Sequence, residues 1–189
     1  MLNSRFLGLA AALAVFSACA DGPLESDPLD TRLVAVTDRT VKMVPFEATV
    51  VLRPTDDLGV VCPVGEGAFQ QLIEGRGSHL GKLTGEFRGC AGFFSGTFSI
   101  FSFTFIAANG DEVRTQMDPS FPGQFIVFGG PGNPAVIVGG LNIVGGTGRF
   151  EGATGHLTTR TEGIFGDPGN NVTIGTGSIS SPGSIKWDN

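Results

Sequence analysis

The sequence predicts an all-β fold, a single closed antiparallel β-barrel of about eight strands, on three observations. Glycine supplies 30 of 189 residues, over twice its usual share of about 7%. Apolar residues recur at a spacing of two, and no stretch carries an apolar stripe at the helical spacing of 3.6. Turn signals such as Asn109-Gly110 and Gly145-Gly146 fall between the alternating stretches. Short strands punctuated by glycine turns belong to sandwiches and barrels.

Before that domain comes a leader. Arg5 supplies a positive start, Phe6 to Phe16 is apolar, and Ser17 and Ala18 are small, the order of parts in a signal peptide. The apolar run is shorter than the roughly 20 residues of a membrane-spanning helix. Phe16-Ser17-Ala18-Cys19 resembles a bacterial lipobox with Phe in place of the usual Leu. Cleavage before Cys19 would leave that residue acylated, and several acyl chains hold a protein on a membrane. The other reading is cleavage after Ala20, which leaves the protein periplasmic or secreted. Lipidation at Cys19 makes the membrane a partner. Ala20, not Asp, follows it, which points to the outer membrane of the cell envelope. Residues 1–18 are therefore read as signal peptide, 19–31 as a flexible tether rich in Asp and Pro, and 32–189 as the barrel domain.

Within the domain, Leu33 to Val36 is a first apolar run. Phe46, Ala48, Val50 and Leu52 alternate with polar neighbours and form a strand with one buried face. Pro54 to Asp57 turns the chain. Two strands follow near 67–74 and 79–88, and Gly89 to Gly92 turns around Cys90. Phe98, Ile100, Phe101, Phe103 and Phe105 change phase at Ile100-Phe101, and a β-bulge there would turn all five inward. Asn109-Gly110 predicts a hairpin with a type I′ turn, and Glu112 to Met117 returns. Residues 118–134 form the longest loop region, with an edge strand at Phe125 to Phe128. Strands at 136–144, 150–162 and 172–179 complete the set.

Composition narrows the function. The chain carries 12 basic and 18 acidic residues, and losing Arg5 with the leader moves the formal charge from -6 to -7. No basic patch is present, so nucleic acid is not an expected partner. Cys62 and Cys90 remain once Cys19 is assigned to the leader. In an oxidising compartment they are expected to pair, the other reading being two separate thiols. Neither His79 nor His156 stands at zinc-motif spacing from them, so no metal and no cofactor is expected.

Gly145-Gly146-Thr147-Gly148-Arg149-Phe150-Glu151-Gly152 resembles the glycine turn and strand of the allene oxide cyclase and dirigent barrels. The His79-Leu80-Gly81 and Asn109-Gly110-Asp111 elements strengthen a likeness to exported bacterial proteins of that superfamily. The resemblance covers residues 45–180. It implies an eight-stranded antiparallel barrel, often trimeric in the plant relatives, with Phe150 pointing inward to plug one end. It does not place a catalytic residue in this chain, because fold does not carry reaction.

No complete catalytic constellation is legible. Glu151 stands where a dinucleotide-binding fingerprint needs its third glycine, and no Gly-Lys-Ser/Thr loop exists. His79 and His156 form an acid–base couple only if they meet across the barrel with a carboxylate such as Glu151. Arg149 and Glu151, two apart on a predicted strand, share one face, inward at a barrel mouth or outward in water. The outward reading is favoured because Phe150 then faces in. Phe101, Phe103 and Phe105 either fill the core or line a cavity for one small apolar ligand. The expectation is a non-enzymatic binding or structural module. The alternatives are a cyclase- or isomerase-like enzyme and a dirigent-like protein.

Overall fold

The first strand shows why the sheet closes. Phe46, Ala48, Val50 and Leu52 are buried while Glu47, Thr49 and Arg53 face water, so one side of the strand must find apolar partners. The structure, a computed structural model, describes residues 42–180 apart from positions 57, 93, 166 and 168–170. The leader, Cys19, the tether and the apolar run at 33–36 lie outside the described residues.

Nine strands follow one another: β1 (Val44–Pro54), β2 (Glu66–Gly77), β3 (Gly81–Gly92), β4 (Phe98–Ala107), β5 (Glu112–Met117), β6 (Gln124–Phe128), β7 (Pro134–Gly146), β8 (Thr154–Ile164) and β9 (Asn171–Ser180). Every pairing is antiparallel, in the order β5-β4-β3-β2-β1-β9-β8-β7-β6. A further ladder from β5 to β7 joins the ends, so eight strands close a barrel, and β6 is the extra one. β5 pairs with Leu141 to Gly146 of β7, and β6 pairs with Ala135 to Val138 of the same strand. Gln124 also bridges to Thr97 beside β4. Thus β5 and β6 occupy consecutive lengths of one slot between β4 and β7. Where the β4–β5 ladder stops, the buried Thr115 hydroxyl takes over, accepting from the Phe103 N–H and donating to its carbonyl, both at 2.9 Å.

Several expectations are corrected. Gly89 to Gly92 is not a turn but the end of β3. A Cβ at Gly89 would come within 2.9 Å of the Phe87 and Phe98 rings, so the glycine is there for packing. The ladder between β3 and β4 does slip by a residue at Cys90/Ala91, opposite Phe98 to Ile100. That bulge brings Phe98, Phe101, Phe103 and Phe105 inward, whereas Ile100 stays on the outer surface at 37% exposure. His79 is not in a strand, since it stands in the β2–β3 turn with φ of 63°. The Asn109-Gly110 hairpin is present, but only Gly110 has a positive φ, so the turn is not type I′. Its geometry comes from the Gly110 N–H donating to the Ala107 carbonyl and the Asn109 side chain accepting from the Asp111 N–H, the pattern of a type I turn with a following bulge.

The predicted strand at 150–162 begins only at Thr154. Gly148–Phe150 forms a 3₁₀ turn, with the Phe150 N–H donating to the Thr147 carbonyl and the Ala153 N–H to the Phe150 carbonyl. Arg149 and Glu151 therefore do not share a strand face. The turn drives Phe150 into the barrel, where it is wholly buried in one core cluster with Leu80, Ala153 and Ile179. These residues plug the end at which β1 begins and β9 ends.

A candidate ligand pocket at the open end of the barrel

The opposite end is hollow. A cavity of about 290 Å³ opens between the end of β1, the first residues of β2, β6, the start of β7, and the β8–β9 connection. Phe46, Phe105, Leu141 and Leu157 fill the barrel toward its plugged end.

Five phenylalanines make one wall: Phe69, Phe87, Phe103, Phe125 and Phe165. Phe69 touches Phe125 and Phe165 at ring separations of 5.7 and 6.0 Å, and Phe87 lies 4.8 Å from Phe103. Such tilted pairs hold one another's orientation and contribute about 0.5–1.5 kcal/mol each beyond area burial. Phe128 braces Phe125 and Phe165 from outside, at 4.7 and 4.9 Å. The rest of the lining mixes apolar Leu52, Pro54, Ala135 and Ile137 with uncharged polar groups. Thr161 of β8 shares a 2.7 Å hydrogen bond with Thr173 of β9, and Gln71 and Asn171 stand close by. Asp56, exposed at the rim, is the single ionisable side chain in the lining among the described residues.

The rim is tied down. Cys62 and Cys90 form a disulfide with Cα atoms 5.5 Å apart, the pairing expected from the sequence. Cys90 follows the inward Gly89 and points to the outside of β3, yet it is fully buried because the β1–β2 loop folds back over it. The same loop is held by the Thr55 N–H donating to the Gln70 carbonyl at 2.9 Å and the Val60 N–H to the Gln70 side chain at 3.2 Å.

Of the residues singled out in the sequence, Phe103 alone lines this cavity. Phe101 and Phe105 are core. His79, Arg149 and Glu151 belong to the plugged end. The His79 ring bonds the Pro45 carbonyl at 3.0 Å, Arg149 pairs with Asp111 at 2.9 Å and lies 5.3 Å over the Phe150 ring, and Glu151 is exposed. His156 is on the outer wall, 3.5 Å from Asp118 and 3.4 Å from Asn142. The two histidines do not meet. Sequence reasoning missed Phe69, Phe87, Phe125, Phe165 and Thr161. The one available signal was the apolar island at Phe125 to Phe128 inside a proline- and glycine-rich stretch.

No family model and no curated protein matches the chain. Among solved structures, a pterocarpan synthase dirigent protein aligns at 13% identity with a TM-score of 0.38, covering 76% of this chain and 88% of its own. An overlap at that level assigns neither family nor activity. The barrel rests on its own ladders.

Proposed function

We propose that this protein is an exported, envelope-anchored barrel that holds one small, largely apolar molecule in the cavity at its open end. The observation that carries the reading is the lining: five phenylalanines with Leu52, Ala135 and Ile137, a few uncharged hydrogen-bonding groups such as Thr161, Gln71 and Asn171, and one carboxylate at the exposed rim. Cavities of this kind bind by burying apolar surface and orient by a few placed polar groups. The leader pattern and the lipobox-like residues up to Cys19 support export and lipidation.

Native mass spectrometry of the exported protein should show one small molecule per chain, or uptake of one apolar dye such as Nile red after it is stripped. Phe125→Arg, at a half-buried mouth position, should abolish dye uptake while leaving the circular dichroism spectrum intact. A stripped wild type that takes up no dye would remove the proposal. Separately, radiolabelled palmitate should mark the wild type and not Cys19→Ala, and equal labelling of the two would end the anchor reading.

A second reading follows from the same lining. A cavity with aromatic walls and few titratable groups suits a dirigent-like protein, which orients a reactive intermediate without covalent catalysis. The glycine motif around Phe150 supports it. A cyclase-like mechanism has less support, since among the described residues no histidine, lysine or arginine lines the cavity and Asp56 sits at the rim. Supplying a racemic-coupling precursor with an external oxidant separates the readings: a dirigent-like protein biases product stereochemistry without changing the rate.

A further inference from the structure

The loops around the open end carry apolar side chains that no described residue covers. Val64 and Phe94 are fully exposed and Val61 is 88% exposed, the highest values among the described large apolar residues. Val61 and Val64 flank Cys62, which is bonded to Cys90 on β3, and Phe94 tips the β3–β4 turn two residues beyond Gly92, the partner of Glu66. Next to the β3–β4 turn, where the Phe125 N–H donates to the Gly96 carbonyl, Ile126 and Val127 of β6 are about half exposed, at 50% and 46%. The segments 54–66, 93–97, 120–133 and 164–170 contain no lysine or arginine.

We propose that these loop tips dock the open end onto the surface of an electrically neutral phospholipid bilayer. Single apolar residues standing clear of the surface on separate loops offer a protein partner no continuous face, and stable protein interfaces need upwards of about 1,000 Å². A bilayer interface asks only that apolar groups dip past the headgroups, with affinity following the apolar area that does so. The absence of basic residues, with Asp56 and Glu66 nearby, disfavours anionic headgroups. The chain preceding the barrel permits the geometry. β1 starts at the plugged end and its 11 residues cover about 36 Å, whereas an extended chain from Cys19 to Val44 reaches up to about 85 Å. A barrel anchored at Cys19 can therefore turn its mouth to its own membrane. Docking stands on the loop tips. The reach to its own membrane, and the corollary that an apolar ligand enters the cavity from the bilayer without crossing water, rest on the function proposed above.

Flotation of the full chain carrying Cys19→Ala, which has no acyl anchor, tests the proposal. It should rise with phosphatidylcholine vesicles, and less with vesicles containing phosphatidylglycerol. Adding Val61→Ser, Val64→Ser and Phe94→Ser should lower partitioning about tenfold or more while Nile red uptake from solution stays unchanged. Phe125→Arg should do the reverse, losing dye and keeping flotation, so the pocket and the docking face fail separately. A Cys19→Ala protein that stays in the aqueous layer, or a triple serine variant that floats as well as its parent, overturns the proposal. So does a dimer in sedimentation that the three serines dissolve, since the tips would then be covered by a second copy.

Discussion

Asp111 and Arg149 stand 38 residues apart in the chain and meet at the plugged end of the barrel, guanidinium Nε to carboxylate Oδ2 at 2.9 Å. The contact joins the β4–β5 hairpin to the turn after β7, beside the ladder that closes the cylinder. Thr147 adds a reciprocal pair, its hydroxyl accepting from the Glu112 N–H and its own N–H donating to the Glu112 carbonyl, both at 3.0 Å. The two glycine-containing motifs most noticeable in the sequence are thus halves of one clasp.

That clasp is partly exposed, so Asp111→Ala and Arg149→Ala should each cost at most about 1 kcal/mol, and the double variant less than their sum. Gly148→Ala should cost more, about 1–3 kcal/mol. Gly148 has φ of +55°, and a Cβ there would stand 1.9 Å from the Asp111 carboxylate. Urea unfolding of the four variants checks the ranking; a Gly148→Ala protein as stable as wild type contradicts it.

Acid should loosen the barrel through two carboxylates. The Asn109 side-chain amide holds the Asp111 carboxyl below its ordinary 3.8, with Arg149 assisting and burial opposing. The Ser120 hydroxyl and N–H lower Asp118 likewise, with a smaller contribution from the charge of His156. Both folded values lie below the unfolded one. Their stabilisation is therefore complete above about pH 3.8 and is lost as pH falls through the folded values. The urea midpoint should begin to drop once pH falls below about 4, and less steeply in Asp111→Asn and Asp118→Asn. An unchanged midpoint refutes the assignment.

Phe150→Ala should destabilise by about 3–5 kcal/mol, because it empties a wholly buried ring site that surrounding backbone cannot refill. Its distance from the cavity means that dye binding should survive wherever the protein remains folded. Thermal unfolding with and without Nile red measures both.

Reducing the disulfide, or replacing it with Cys62→Ala and Cys90→Ala, should cost roughly 3–4 kcal/mol for a closed loop of 28 residues. It should also weaken ligand retention by releasing the β1–β2 rim. Alkylation without reductant should leave both thiols unmodified, and rapid labelling of either would contradict the bridge.

The barrel was readable because burial on one face writes itself as alternation: Phe46 to Leu52 and Phe101 to Phe105 each fall in step with a pleated strand. Ile100 escaped because a bulge shifts phase without announcing which residue is expelled. The cavity was not readable, for it depends on which end is filled. Phe150, Leu80 and Ile179 arrive at one end from three distant segments. At the other, Phe125 and Phe165 come from glycine- and proline-rich connections whose phase is undefined, and Thr161 looks like any strand threonine. Arg149 and His79, conspicuous as charged or titratable residues beside glycines, turned out to bond backbone and hairpin at the plugged end.

The shared slot of β5 and β6 has a mechanical consequence. At every other position around the circumference one unbroken strand carries the wall from rim to base; here two short pieces do, with the chain leaving at Asp118 and returning at Gly123. The cylinder is therefore most easily parted along that stave. Slow breathing of its upper half, where the aromatic wall stands, need not disturb the clasped base.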